Sequence, residues 1–182
     1  CATNRQRIAR CYARGMLPKR TRLKAFDYLG PYRYFLTFGT AGREKAFTSA
    51  ATVELVLAQI LRAAVEQGFV IIAYCFMPDH LHLLIEGTAP NSDLKEFGKA
   101  AKQYAGFYYK QRTGRRLWQP SYYEHVLRNG EDTWSVARYI VENPLTEGLA
   151  TRADEYPFLG SCVVAKKDLL FAVSCAKPWA RG

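Results

Sequence analysis

Apolar and polar positions follow two rhythms along the chain. In YRYFLTFGT (32–40) they alternate and aromatics abound, which predicts a strand. In SAATVELVLAQILRAAVEQG (49–68), Val53, Val56, Leu57, Ile60, Leu61 and Ala64 recur at helical spacing, and Gly68 is a stop signal. The apolar run FVIIAYCF (69–76), between Gly68 and Pro78, predicts a buried strand, and LHLLIEG (81–87) another after the turn MPD. NSDLKEFGKAAKQYAGFYYKQRTG (91–114) has an apolar stripe of Leu94, Phe97, Ala101, Tyr104, Ala105 and Tyr108, with Asn91 and Ser92 as N-cap candidates and Gly114 closing it. SYYEHVLR (121–128) reads as a fourth strand, and EDTWSVARYIVENP (131–144) as a third helix with acidic residues at its start and Pro144 ending it.

The order strand, helix, strand, strand, helix, strand, helix predicts an α+β fold. It is a ferredoxin-like split βαβ antiparallel sheet with one additional C-terminal helix. Residues 1–31 form a basic lead-in, 32–150 the domain, and 151–182 a tail packed on it. No repeat is visible.

Of three histidines, two stand one residue apart in YCFMPDHLHLLIEG (74–87). On a strand, side chains alternate, so His80 and His82 share one face and Leu81, Leu83 and Ile85 the other. Two neutral imidazoles at this spacing can reach one cation. They can equally be ordinary strand-end histidines. A cation would need a further ligand, for which Glu86, on the same face by parity, and Asp79 are candidates.

The last predicted helix offers another. Its stripe is Val136, Ala137, Ile140 and Val141. At 100° per residue the stripe's centre lies roughly 130° from Tyr139 and roughly 90° from Asn143. Tyr139 is therefore off the core stripe, one turn from Asn143 on the same side. The plain alternative is a half-packed tyrosine and a helix-ending Asn-Pro. A phenol beside a divalent cation, however, can attack a phosphodiester, because the cation polarises the phosphoryl oxygens and stabilises the leaving oxygen. The chain has neither a G-x-x-x-x-G-K-[ST] loop nor G-x-G-x-x-G.

Charge narrows the substrate. The chain of 182 residues carries 26 Lys and Arg against 16 Asp and Glu, a net charge of +10. One cluster, including Arg20 and Arg22, precedes the first acidic residue, Asp27. Another, containing Lys99, Lys102, Arg115 and Arg116, is interleaved with Tyr104, Phe107, Tyr108 and Tyr109. Basic charge among aromatics suits a phosphate backbone with stackable bases. No run of about 18 apolar residues exists, so no membrane span is expected. The N-terminus CATNRQRIARCYARG is basic without an apolar centre, so no secretory leader is expected; it opens on Cys, as a truncated sequence would. The five cysteines are odd in number and lack C-x-x-C, which points to reduced thiols in a cytosolic protein.

MPDHLHLLIEG, WQPSYYEHVLRNGED, ARYIVENPLTEGL and YPFLGS, in this order, resemble the single-tyrosine HUH transposases. The REP-associated tyrosine transposases, named for repetitive extragenic palindromes, are the branch most resembled. YLGPYRYFLTFGTAGREKAF fits too, so the resemblance covers about residues 28–160. It implies that His80 and His82 bind a catalytic Mg2+ or Mn2+, that Tyr139 is the nucleophile, and that Asn143 completes the metal site. It also implies cleavage of single-stranded DNA beside an imperfect hairpin through a 5′-phosphotyrosine, followed by rejoining. The implied setting is the prokaryotic cytosol, with a monomer favoured over a tyrosine-exchanging dimer.

Around this core, His125 orients the scissile phosphate or merely faces the sheet. Trp118, Gln119 and Tyr123 read as structural or base-stacking residues. Lys99, Lys102, Arg115, Arg116, Arg20 and Arg22 are candidate DNA contacts, with the N-terminal segment as a clamp on the hairpin stem. Two other readings stay open. One is a non-catalytic nucleic-acid-binding module on a ferredoxin-like sheet. The other is a zinc hydrolase using His80, His82 and a carboxylate.

Overall fold

A computed structural model describes residues 26–128 and 131–179. Arg20 and Arg22 lie outside the described residues, as does the remainder of the N-terminal lead-in up to residue 25. The sheet is built from β1 (Arg33–Gly39), β2 (Phe69–Met77), β3 (His80–Gly87), β4 (Tyr123–Val126) and β5 (Leu159–Gly160). Its order is β4-β1-β3-β2-β5, with every neighbouring pair antiparallel. The first four strands reproduce the split βαβ arrangement expected from the sequence.

Helices cover both faces. Helices α1 (Ala50–Glu66) and α2 (Leu94–Thr113) bury Val53, Val56, Ile60, Phe97, Ala101 and Ala105 against Leu36, Phe38, Leu81, Leu83 and Ile85. On the opposite face, α3 (Thr133–Thr146) and α4 (Lys166–Ser174) bury Val136, Ile140, Val141, Leu169 and Val173 against Phe35, Cys75, Met77 and Leu84. Burying one such aliphatic side chain stabilises the fold by about 1.5–3 kcal/mol.

A bulge in β2 decides what lies beside the histidines. The ladder with β3 slips between Ile71 and Ala73, so Ile71 faces α1 and α2 while Ile72 and Ala73 both face α3. Beyond this extra residue the parity of β2 is inverted. Cys75 and Met77 are thereby brought opposite His82 and His80, on the α3 face.

The structure corrects three sequence expectations. The α2 cap is Asp93, whose carboxylate accepts from the Lys95 and Glu96 N–H groups; the Ser92 hydroxyl donates to the Gly68 carbonyl instead. Pro144 does not end α3, which runs on to Thr146. A proline in the last turn removes one helical hydrogen bond, and Glu147 N–H restores closure by donating to the Asn143 and Leu145 carbonyls. Thirdly, residues 151–179 extend the sheet rather than only lying on it. Leu159 and Gly160 pair with β2, and the Tyr156 hydroxyl donates to the Phe76 carbonyl at 2.7 Å.

Candidate active site

His80 and His82 point from β3 toward α3, both nearly inaccessible to solvent. Their Nε2 atoms stand 3.1 Å apart. Each ring is held from behind through Nδ1: His82 by the Thr37 hydroxyl at 2.9 Å, His80 by the Asp79 carboxylate at 2.6 Å. The tie is structurally forced, because Thr37 is the rung of β1 directly opposite His82. Fixing Nδ1 fixes ring orientation and tautomer, which is how ligating histidines are supported.

Asp79 is in turn gripped by Arg43, whose Nε lies 2.9 Å from the second carboxylate oxygen. Burial pushes the Asp79 carboxyl up, but the His80 bond and the His80 and Arg43 charges more than offset this and hold it below its ordinary value. Arg43 adopts a left-handed backbone, φ +59°, which costs a non-glycine residue about 1–2 kcal/mol. Its neighbourhood over-determines that conformation. Thr40 N–H donates to the Asp79 carbonyl, the Thr40 hydroxyl reaches across Arg43 to donate to the Glu44 carbonyl at 2.7 Å, and Phe47 N–H donates to the Pro78 carbonyl.

Tyr139 comes from α3 and lies against this pair, its ring centroid 5.9 Å from His82 and 5.7 Å from Phe35. It is half-buried and packs against the core of that face, although it lies off the helix's own apolar stripe. Asn143, one turn on, is also half-buried, and its amide nitrogen donates to the Tyr139 carbonyl at 2.6 Å. Trp179 was not anticipated from the sequence. Its ring meets Tyr139 at 5.6 Å, Phe35 at 5.3 Å and His125 at 5.5 Å. Its Nε1 donates to Glu131 at 3.2 Å. No local pattern marks such contacts, since they join residues 40 or more positions apart.

The converging Nε2 atoms fit a divalent cation. Neighbouring ligands about 2.1 Å from one ion are about 3 Å apart. Neither expected carboxylate joins them: Asp79 is behind His80, and Glu86 pairs with Arg33 at 3.0 Å. Among the described residues no group of three His, Cys, Asp or Glu is arranged to hold a metal. Cys75, opposite His82, is fully buried, and burial pushes its thiol up and keeps it protonated. The donor set brought together is therefore two imidazoles, while the Asn143 amide is turned onto the Tyr139 carbonyl of its own helix. Two imidazoles leave coordination positions open for substrate oxygens and do not make the closed four-ligand set of a structural zinc site.

The remaining candidates divide by face. His125 stands opposite Phe35 on the site face, its Nε2 2.9 Å from Glu131. Burial raises the Glu131 carboxyl, but the Arg128 N–H, His125 and Trp179 outweigh it and hold it low. Lys99 and Lys102 belong to α2, in the other layer. Lys99 is exposed and pairs with Glu96 at 3.1 Å. Lys102 donates to the carbonyls of Gln119, Pro120 and Ser121 at 2.8, 3.0 and 3.2 Å. Burial, with Arg116 nearby, lowers its ammonium to about 8. Arg116 Nε donates to the Trp118 carbonyl, while Arg115 is exposed, 3.9 Å from Glu44.

A model of the IS200-like transposases matches residues 31–143, from the start of β1 through both histidines and Tyr139 to Asn143. The chain belongs to the IS200-like transposase family. It is 28% identical over 105 residues to the REP-associated tyrosine transposase of Escherichia coli (strain K12), a match covering 55% of this chain and 62% of that relative. A Haemophilus influenzae protein provisionally given the same name is 25% identical over 144 residues, covering 69% of this chain and 77% of that one. Among solved structures, a REP-associated tyrosine transposase bound to a REP hairpin superposes with a TM-score of 0.64 at 21% identity. That match covers 77% of this chain and 82% of the other, and it shows a shared fold. The family match spans β1 to β4 and most of α3, and stops short of β5, α4 and Trp179.

Proposed function

We propose that the protein is a metal-dependent single-stranded DNA transesterase of the transposase type. It nicks and rejoins DNA next to an imperfect hairpin through a 5′-phosphotyrosine on Tyr139. The observation that carries this reading is the pair of facing Nε2 atoms with the Tyr139 ring packed against one of them. Membership of the IS200-like transposases and the hairpin-bound structure of a relative support it.

The step conserves its bonds. The Tyr139 phenol loses its proton and its oxygen attacks phosphorus. A P–O(Tyr) bond forms, the P–O3′ bond breaks, and the 3′ oxygen takes up a proton. One phosphodiester is exchanged for another, so resealing by a 3′ hydroxyl needs no nucleoside triphosphate. His80, His82 and Asn143 are the residues that would hold Mg2+ or Mn2+. That ion, when bound, polarises the phosphoryl oxygens and stabilises the leaving oxygen. Thr37 and Asp79 keep the imidazoles turned the right way. Phe35 and Trp179 brace the Tyr139 ring, which limits the rotamers from which it can attack. The exposed cations Lys99 and Arg115 carry the non-specific attraction to phosphates.

The test uses the full chain, manganese and a labelled hairpin-bearing single strand. The parent forms a denaturant-resistant adduct with the 5′ side of the cut, and chelator abolishes it. Tyr139→Phe binds the strand and forms none. An adduct that survives in Tyr139→Phe, or cutting that persists in chelator, sinks the assignment.

A further inference from the structure

We infer that the Gln119 side-chain amide is a catalytic donor to a non-bridging oxygen of the scissile phosphate; this rests on the reading above. Gly39 lies directly opposite His80 on the β1–β3 ladder, so both face the site. Thr40 bridges Trp118, and Gln119 N–H donates to the Gly39 carbonyl at 3.0 Å, which continues the ladder outward by one rung. Gln119, Gly39 and His80 thus form one row across the sheet. Gly39 has no side chain, and the Gln119 amide fills that space. A Cβ built on Gly39 would stand 2.8 Å from Nε2, 2.9 Å from Cδ and 3.1 Å from Oε1 of Gln119. The amide therefore lies over β1 on the histidine side, one strand from His80.

Among the described residues no partner engages that amide. Gln119 is half-buried, and among the described residues its side chain makes no hydrogen bond. Its backbone, by contrast, is fixed on both sides by the Gly39 carbonyl and the Lys102 ammonium. A held backbone with its amide over Gly39, in the row of His80, is a preorganised donor. Such a donor suits negative charge developing on phosphoryl oxygen as the Tyr139 oxygen attacks.

The experiment compares the full-length parent with Gln119→Glu and Gly39→Ala in single-turnover adduct formation with the hairpin strand. Strand affinity, manganese affinity and melting temperature are measured on the same samples. Gln119→Glu keeps the shape but sets a carboxylate against the phosphate, and its rate falls on the order of 100-fold, the loss typical of one oxyanion donor. Manganese affinity and melting temperature stay at parental values. Gly39→Ala displaces the amide without removing it, and its rate falls in the same direction. A Gln119→Glu rate within twofold of the parent overturns the inference, as does a change in manganese affinity, which would make Gln119 a metal ligand. A melting temperature that falls in step with the rate overturns it too, by making Gln119 a purely structural residue. A parent that forms no adduct overturns the functional reading itself and this inference with it.

Discussion

The Thr37 hydroxyl lies 2.9 Å from Nδ1 of His82, across a rung of the β1–β3 ladder. When Nε2 faces a cation, the imidazole proton sits on Nδ1 and Thr37 accepts it. Thr37→Val preserves shape and removes the acceptor. Thr37 is fully buried, so His82 is left without that partner, at about 1–3 kcal/mol. Manganese affinity is expected to fall about 10-fold, the lower end of the range for losing an outer-shell partner. Titration of the metal into the variant, with a thermal melt, checks both. Unchanged affinity alongside a lowered melt would leave Thr37 as a packing residue only.

Arg43 sets two effects against each other. Arg43→Gly relieves a left-handed backbone worth about 1–2 kcal/mol, while removing the grip on Asp79 costs about the same. The melting temperature should therefore stay near the parent's, while manganese affinity drops because Asp79 no longer holds His80. Parental metal affinity in a normally melting Arg43→Gly protein would break the proposed chain from Arg43 through Asp79 to His80.

These two residues mark the limits of what sequence reveals here. The histidine pair was legible because strand parity alone places His80 and His82 on one face, whatever the details of pairing. Tyr139 was legible for a related reason: helical angle puts it beside, not in, the apolar stripe. Arg43 was not, since a left-handed arginine has no local signature and is imposed by the hydrogen bonds of Thr40 and Phe47 to the 78–79 turn. The β2 bulge was hidden because Ile72 is as apolar as its neighbours and no glycine or proline punctuates the run. Pro144 misled because a proline stop signal is strong in mid-helix and weak in a last turn. Trp179 escaped because its partners are assembled only by tertiary folding.

Lys102 gives a pH signature. Its ammonium is lowered to about 8, whereas in the unfolded chain it keeps its proton to about 10.4. Between those values the unfolded state binds more protons, so stability rises with pH over that window through this group. Lys102→Met abolishes the rise. It also removes the bond to the part-buried Gln119 carbonyl, with those to the exposed Pro120 and Ser121 carbonyls, and lowers the melting temperature at pH 7. Denaturation across pH 7.5 to 10.5 reads both effects. A parent whose stability falls over that interval, with the same slope in Lys102→Met, would deny the buried ammonium its part.

Strand binding should separate exposed cations from Lys102. Lys99 and Arg115 are exposed, and among the described residues their side chains make only ion pairs with Glu96 and Glu44, of the surface kind worth about 0–1 kcal/mol. They are accordingly free to exchange those partners for phosphates. Each such contact releases counterions, so removing it lowers the slope of log affinity against log salt by about 0.7 for a single strand and about 0.9 for a duplex stem. Lys99→Ala and Arg115→Ala are each expected to flatten that slope by about one such step without altering the melt. Lys102→Met is expected to do the reverse, lowering the melt and leaving the slope intact, because its charge is turned onto three carbonyls. Affinities measured from low to moderate salt on all three variants decide the matter. If Lys102→Met alone flattens the slope, the docking surface runs through the 119–121 segment rather than across the exposed side of α2.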